Sequence, residues 1–209
     1  MTSSVRLGIL ALLCLPAGAG AQSAYQTRAL APGSWDLRLG VEADGLLAHA
    51  GASASAELGL FSLGEGSLSL GVEGALGHCL HACGSDGGME VSRWAASPMG
   101  RLVWHYVLGS QSSNAAEVDL YAVALGGAGF IFQEARSPGA RLSSASRVPL
   151  LGGGLGSVYF PGNGEGVFAG GELRVLYSPA TADLAGSGLT LTAWSLAGVR
   201  FMFSMGVRL

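Results

Sequence analysis

One regularity constrains this chain more than any other. Wherever apolar residues recur at a spacing of two, every ionised side chain takes the opposite parity. Successive side chains of a strand point to opposite faces, so parity reads directly as face. Trp35, Leu37, Leu39 and Val41 alternate with Asp36, Arg38, Gly40 and Glu42, and the run closes on Ala43 and Asp44. Ala54, Ala56, Leu58 and Leu60 oppose Ser55, Glu57, Gly59 and Phe61. Leu68, Leu70, Val72 and Leu76 oppose Ser67, Ser69, Gly71 and Glu73. Trp94, Ala96, Leu102, Trp104, Tyr106 and Leu108 oppose Arg93, Ser97, Arg101 and His105. Val118, Leu120, Ala122 and Ala124 oppose Glu117, Asp119 and Tyr121. Val167, Ala169, Leu173, Val175 and Tyr177 oppose Glu172 and Arg174, and Val199, Phe201, Phe203, Met205, Val207 and Leu209 oppose Arg200, Ser204, Gly206 and Arg208. An eighth run, Val148–Phe160, is glycine-rich: Val148, Leu150, Val158 and Phe160 share one face while Leu151 and Leu155 take the other.

Composition narrows the environment. The chain has 209 residues, the length of one domain or two small ones, and 35 of them are Gly. Glycine interrupts nearly every apolar stretch, at a cost of about 1 kcal/mol per helix-interior position, so helices are not expected. The basic residues number only 11, all Arg, and so few cations exclude an electrostatic nucleic-acid binder, while the formal net charge of -3 is too small to point to any partner. The first 21 residues read as an export signal: Arg6, an apolar run Leu7–Leu15, and the Ala19-Gly20-Ala21 cleavage pattern. The expected organisation is a signal peptide over 1–21, an N-terminal extension over 22–33 and a β domain over 34–209. Cys14 suggests a lipid anchor, but Leu12 and Leu13 stand where small residues should precede such a cysteine.

Two settings impose such one-sided charge: a soluble sheet with one wet face, or a closed barrel with lipid outside. The polar face here carries Ser, Gly and charges of both signs, while Trp35, Trp94, Trp104, Tyr106 and Tyr177 lie near run ends on the apolar face. That placement suits interfacial aromatic girdles, although core burial is the commoner fate of aromatics. A sheet in hydrocarbon must close, because an unpaired backbone group there costs several kcal/mol. Eight runs long enough to cross a bilayer give the even strand number that closure favours. Gly64–Gly66, Gly109–Ala115 and Pro161–Gly166 read as short turns at one end, and Leu80–Glu90, Glu134–Arg147 and Ser178–Gly188 as longer loops at the other. Ala48–Ala52 reads as a short first connection on the long-loop side.

In this pattern the chain resembles the small eight-stranded outer-membrane β-barrel proteins of Gram-negative bacteria. The resemblance implies an all-β, antiparallel up-and-down transmembrane barrel, outer-membrane lipid as its surroundings, and insertion by the barrel-assembly machinery. Members commonly end in a strand with a terminal aromatic, where Leu209 stands here.

Inside a barrel of eight strands there is room for side chains and little else. The inward series brings Arg38, Glu42, Glu57, Glu73, Arg101, Asp119, Glu172, Arg174 and Arg200 into one confined space, where charges must pair. The expectation is a cross-lumen Arg–carboxylate network, with a proton or ion path along the same groups as the alternative. His78-Cys79-Leu80-His81-Ala82-Cys83 is the one dense cluster of potential ligands. Its spacing departs from common zinc sites, and exported cysteines oxidise, so Cys79 and Cys83 are expected to pair as a disulfide rather than bind metal.

No nucleophile motif surrounds His49, His78, His81 or His105, and no phosphate loop follows Gly152-Gly153-Gly154. Neither an enzyme nor a cofactor is expected. The function expected is a structural or surface-interaction role through the outer loops. Within 133–147, Glu134, Arg136, Arg141 and Arg147 offer a net positive tip to lipopolysaccharide or another surface ligand. The alternatives are a membrane-embedded lipid-modifying enzyme and a barrel that binds a small solute or lipophilic ligand.

Overall fold

The computed structural model describes residues 30–44, 49–64, 66–80, 85–86, 89–109, 116–161, 166–179, 182–186 and 189–209. Eight long strands form a ring: β1 (Trp35–Asp44), β2 (His49–Leu63), β3 (Gly66–Cys79), β4 (Met89–Gly109), β5 (Glu117–Ser137), β6 (Ala140–Phe160), β7 (Val167–Tyr177) and β8 (Gly198–Arg208). Each pairs antiparallel with its sequence neighbours, and β1 pairs with β8 from Asp36–Arg208 to Asp44–Arg200. The eight strands thereby pair all the way round the ring, which is the arrangement that backbone polar groups in hydrocarbon require.

The register fixes the tilt. Stepping across paired residues from Ser157 through Gly171, Phe203, Val41, Ala52, Leu76, Ala96 and Phe130 returns to β6 at Arg147, ten residues from the start. A shift of ten residues at about 3.3 Å each, over eight strands spaced about 4.8 Å, tilts the strands by about 40°. On the outer wall of β4, Trp94 and Trp104 are ten positions apart, about 33 Å along the strand and about 25 Å in height, the thickness of a barrel's lipid-facing band. Between them the wall is apolar: Leu39, Val72 and Leu155 are 71%, 66% and 69% exposed. The aromatics assigned to girdles all lie on this wall, with Tyr177 exposed at one level and Trp35, Trp104 and Tyr106 toward the other.

Four readings of the sequence need correction. Phe61 is on the outer wall, not the inner one. A bulge between Gly59 and Phe61 adds one residue opposite Ser69 and Leu68, so Leu60 and Phe61 both face out and the ladder resumes with Ser62 opposite Ser67. Ala48–Ala52 is not a loop, since β2 begins at His49 and residues 49–52 already pair with β3. Nor is Glu134–Arg147 a loop. Strands β5 and β6 run on as a hairpin to a two-residue turn at Pro138 and Gly139, with pairing intact to Ser137–Ala140. Gly139 supplies the left-handed φ of 93° and Pro138 a fixed φ, which together make a tight reversal. Within the remaining expected loops, Ser85–Asp86 pairs with Met89–Glu90, and Ala182–Gly186 pairs with Leu189–Trp194 as a separate hairpin.

The inner face is not uniformly polar, which is the fourth correction. Beside the charges sits an apolar sector of Met99, Val103, Val123, Leu125, Ile131, Val148, Leu150, Val158, Phe160, Phe168 and Leu176. Strand β6 thus carries apolar residues on both faces, which is why its alternation is weak. Leu30, ahead of β1, and Leu196, ahead of β8, are buried at 0% and 2%. The segment before β1 is stitched to β2 by Gly33 N–H to Gly59 C=O and Gly59 N–H to Ser34 C=O, both 2.9 Å.

Leu39→Arg, near mid-height of β1, should destabilise the barrel by about 2–4 kcal/mol in a bilayer, whereas Leu39→Ala should cost far less. Urea unfolding in lipid vesicles measures both, and equal midpoints for the two variants would refute a lipid-facing wall.

Candidate functional site

Every charged residue assigned to the lumen from sequence lies inside the ring. Arg101 on β4 is the hub: its Nε is 3.0 Å from Glu57 Oε1 on β2, and its Nη2 is 3.0 Å from Glu172 Oε2 on β7. Its Nη1 meets Glu73 on β3. Arg174 shares two of these carboxylates, through Nε to Glu172 at 2.8 Å and Nη1 to Glu73 at 2.5 Å. Toward the hairpin end, Arg200 Nη1 reaches Glu42 at 2.9 Å. Toward the end holding Leu209, Arg38 Nη2 bridges Asp36 at 3.1 Å and Glu57 at 3.5 Å. Arg208 binds Asp36 through two nitrogens, at 2.7 and 2.8 Å, and Asp119 at 2.8 Å. His105 completes the set, with Nδ1 2.9 Å from Asp119 and Nε2 3.0 Å from Ser69 Oγ. In this lattice six carboxylates face five guanidinium groups and one imidazole.

Sequence pattern alone did not reveal how neutral groups support this lattice. Tyr121 O–H donates to Glu172 at 3.0 Å. The Arg38 guanidinium lies between the rings of Tyr121 and Phe168, 4.9 and 5.3 Å from their centroids. Its Nε and Nη1, which lack hydrogen-bond partners among the described residues, rest on π faces instead. Arg208 stacks on Phe160 at 4.7 Å. The glycine run of β6 is the accommodating surface. A Cβ at Gly156 would collide with the Tyr121 hydroxyl, so the strand facing the lattice is kept thin. Close backbone approach, not phosphate binding, is the use of those glycines.

Asp36, Glu57, Arg101, His105, Asp119 and Arg174 have no accessible surface at all. Their side chains fill a bore that, with eight strands, is just wide enough to hold them. Each ion is desolvated, and removing one partner leaves another uncompensated.

The cysteine and histidine cluster is only partly described. Cys79 is 2% exposed and disulfide-bonded. Cys83 and His81 lie outside the described residues. His78 points outward from β3 opposite Trp94, while His49 is buried with its ring 6.1 Å from that of Trp194. Among the described residues no three His, Cys, Asp or Glu side chains gather as a metal site requires.

The second feature is the arm formed by β5 and β6 beyond the girdle. Trp94 and Phe132 stack at its base, with centroids 4.1 Å apart and 16° between planes. From Phe132 the strand continues about 16 Å to Ser137. On its inner face Ala135 and Leu142 form a small apolar cluster with Met89 and Val91 of the adjoining β4. Its outer face carries Glu134 between Arg136 and Arg141, at 2.5 and 2.6 Å, and Arg147. The Arg136 guanidinium, aided by Arg141, holds the Glu134 carboxyl below the usual range, so it stays ionised.

Over 84% of this chain and 99% of the other, the fold matches a major outer membrane protein from Thermus thermophilus, with a TM-score of 0.55 and 13% identity. The fold is that of the eight-stranded outer-membrane β-barrels. Weaker likenesses join it. The N-terminal β-barrel domain of Pseudomonas aeruginosa OprF has a TM-score of 0.40 at 13% identity, covering 85% of this chain and 98% of that one. Neisserial surface protein A has a TM-score of 0.39 at 18% identity, covering 84% and 94%. No family model matches the sequence, and no curated protein matches it significantly.

Because Arg101 is an ion-pair partner of three buried carboxylates at once, Arg101→Leu should destabilise the barrel by about 3–5 kcal/mol. The urea midpoint of the refolded protein reads this directly, and an unchanged midpoint would show that the lattice is not structural.

Proposed function

We propose that this protein is a non-conducting outer-membrane barrel that presents the β5–β6 arm and its neighbouring hairpin at the cell surface. The observation that carries the reading is a division of labour along the barrel axis. The lumen is packed with ion pairs from Arg208 to Arg200, whereas the long projection beyond the girdle is rigid paired sheet with its own charged face. A plugged interior supports a structural role, and a stiff arm supports contact with something outside. Location in the outer membrane is supported by the apolar wall about 25 Å high and by its aromatic rims. Insertion would use the barrel-assembly machinery, with β8 and its alternation of Phe201, Phe203, Met205 and Val207 as the last strand. A Cys79–Cys83 disulfide would tie the chain where β3 leaves the barrel. The lumen residues Arg38, Glu42, Glu57, Glu73, Arg101, Asp119, Glu172, Arg174 and Arg200 act here as a scaffold.

Two measurements test this. In planar bilayers the protein should give no stepwise conductance at neutral pH; regular single-channel steps would overturn the plug. Deleting residues 134–146 and bridging the ends with a short turn should leave the slow unboiled band on a gel, marking a folded barrel, while abolishing whatever surface contact the intact protein makes. Loss of the folded band would make the arm part of the barrel's stability rather than a display element.

A further inference from the structure

The distribution of outward cations is uneven. Arg38, Arg93, Arg101, Arg174 and Arg200 are buried in the barrel interior, and Arg208 is all but buried among Asp36 and Asp119. Of the described arginines, the other three, Arg136, Arg141 and Arg147, all lie on the outer face of the same arm. Arg136 and Arg141 are both taken up by Glu134. Arg147 makes no ion pair among the described residues. It is exposed, and its guanidinium rests 5.8 Å from the centroid of Phe130, its partner across the strands.

The depth of this cation is what gives it meaning. Phe130 and the stacked Trp94–Phe132 pair form the upper aromatic rim, so Arg147 stands where hydrocarbon gives way to headgroups. Beside it, Trp94, Phe132, Glu134, Ser143 and Ala145 line a shallow recess of about 340 Å³. The recess has an apolar floor with the Ser143 hydroxyl and the Glu134 carboxylate on its wall, and Arg147 lies outside it, two residues beyond Ala145 on the same face of β6. An ammonium would be hydrated there, but a planar guanidinium on a ring keeps its outer N–H groups for a bidentate anion such as phosphate.

Building on the outer-membrane reading, we propose that Arg147, with Ser143 and the Trp94–Phe132 floor, binds the phosphorylated headgroup of an outer-leaflet glycolipid, its acyl chains lying along the apolar wall below. Glu134 tunes the site, because its charge occupies the two arginines that would otherwise add to it. One cation at a lipid surface contributes about fivefold in affinity.

The test uses the full-length barrel in phosphatidylcholine nanodiscs with and without lipid A, reading co-purified lipid A by mass spectrometry. Arg147→Gln should retain about fivefold less lipid A and Arg147→Lys an intermediate amount. Glu134→Gln, which frees Arg136 and Arg141, should retain more than the parent. Inorganic phosphate should fail to compete, since the acyl chains hold the headgroup in place. Equal retention in Arg147→Gln and parent would overturn the proposal, as would displacement by inorganic phosphate, which would mark a soluble anion as the ligand. Outer-membrane fractionation of the Arg147→Gln protein keeps the two readings apart: its presence there with unchanged lipid A retention defeats only the site, and its absence together with the parent's defeats the location.

Discussion

Hydrogen bonding of the backbone in a medium without water is the condition under which everything else in this molecule is arranged. A strand surrounded by hydrocarbon must find partners on both edges, and with eight strands the way to supply them all is a ring. The ring, with a register shift of ten residues, sets the strand tilt and a bore just wide enough for side chains. Polar groups expelled from the lipid-facing wall then have one place to go, and they arrive crowded. Crowding turns pairing into a necessity: Arg101 meets Glu57, Glu73 and Glu172 from three other strands because burial strips all of them of solvent. Closure and charge pairing are one constraint seen from outside and inside.

That constraint also explains why the interior is divided. The guanidinium and carboxylate groups occupy the sector lined by β7, β8, β1, β2 and β3, with Arg101 and His105 of β4 and Asp119 of β5 reaching in from the other side. The opposite sector, under β5 and β6, is filled by aliphatic and aromatic side chains. Tyr121, Phe168 and Phe160 form the boundary, each offering a ring face to an arginine or a hydroxyl to a carboxylate. A uniform lattice would need more cations than this chain has. Half-filling the bore with apolar groups keeps the charges of the lattice within reach of opposite ones.

Much of this was legible in the sequence, for a definite physical reason. A period of two maps residue order onto faces without knowledge of the neighbours, so Leu37, Leu39 and Val41 on one side of β1 and Asp36, Arg38 and Glu42 on the other could be assigned from order alone. What depends on neighbours could not. Which carboxylate meets Arg174 follows from the register around the whole ring. The turn of Phe61 onto the outer wall follows from a bulge that adds one residue opposite β3. The arm read as a loop because Ser137-Pro138-Gly139 is turn chemistry and its flanks are rich in Ser and Arg, yet the same residues pair continuously to Ser137–Ala140. Strand β6 hid its pattern because lipid and an apolar sector demand similar side chains of both its faces.

Arg208 stands on β8 beside the seam, and its guanidinium reaches Asp36 on β1 and Asp119 on β5. One side chain thus acts as a clasp, tying the closing pair of strands to the wall on the far side of the bore. A ring that parted between β1 and β8 would lose this tie together with the backbone ladder, while Asp36 would keep Arg38 and Asp119 would keep His105. Closure of the wall and cross-bracing of the interior therefore depend on the same strand being in place.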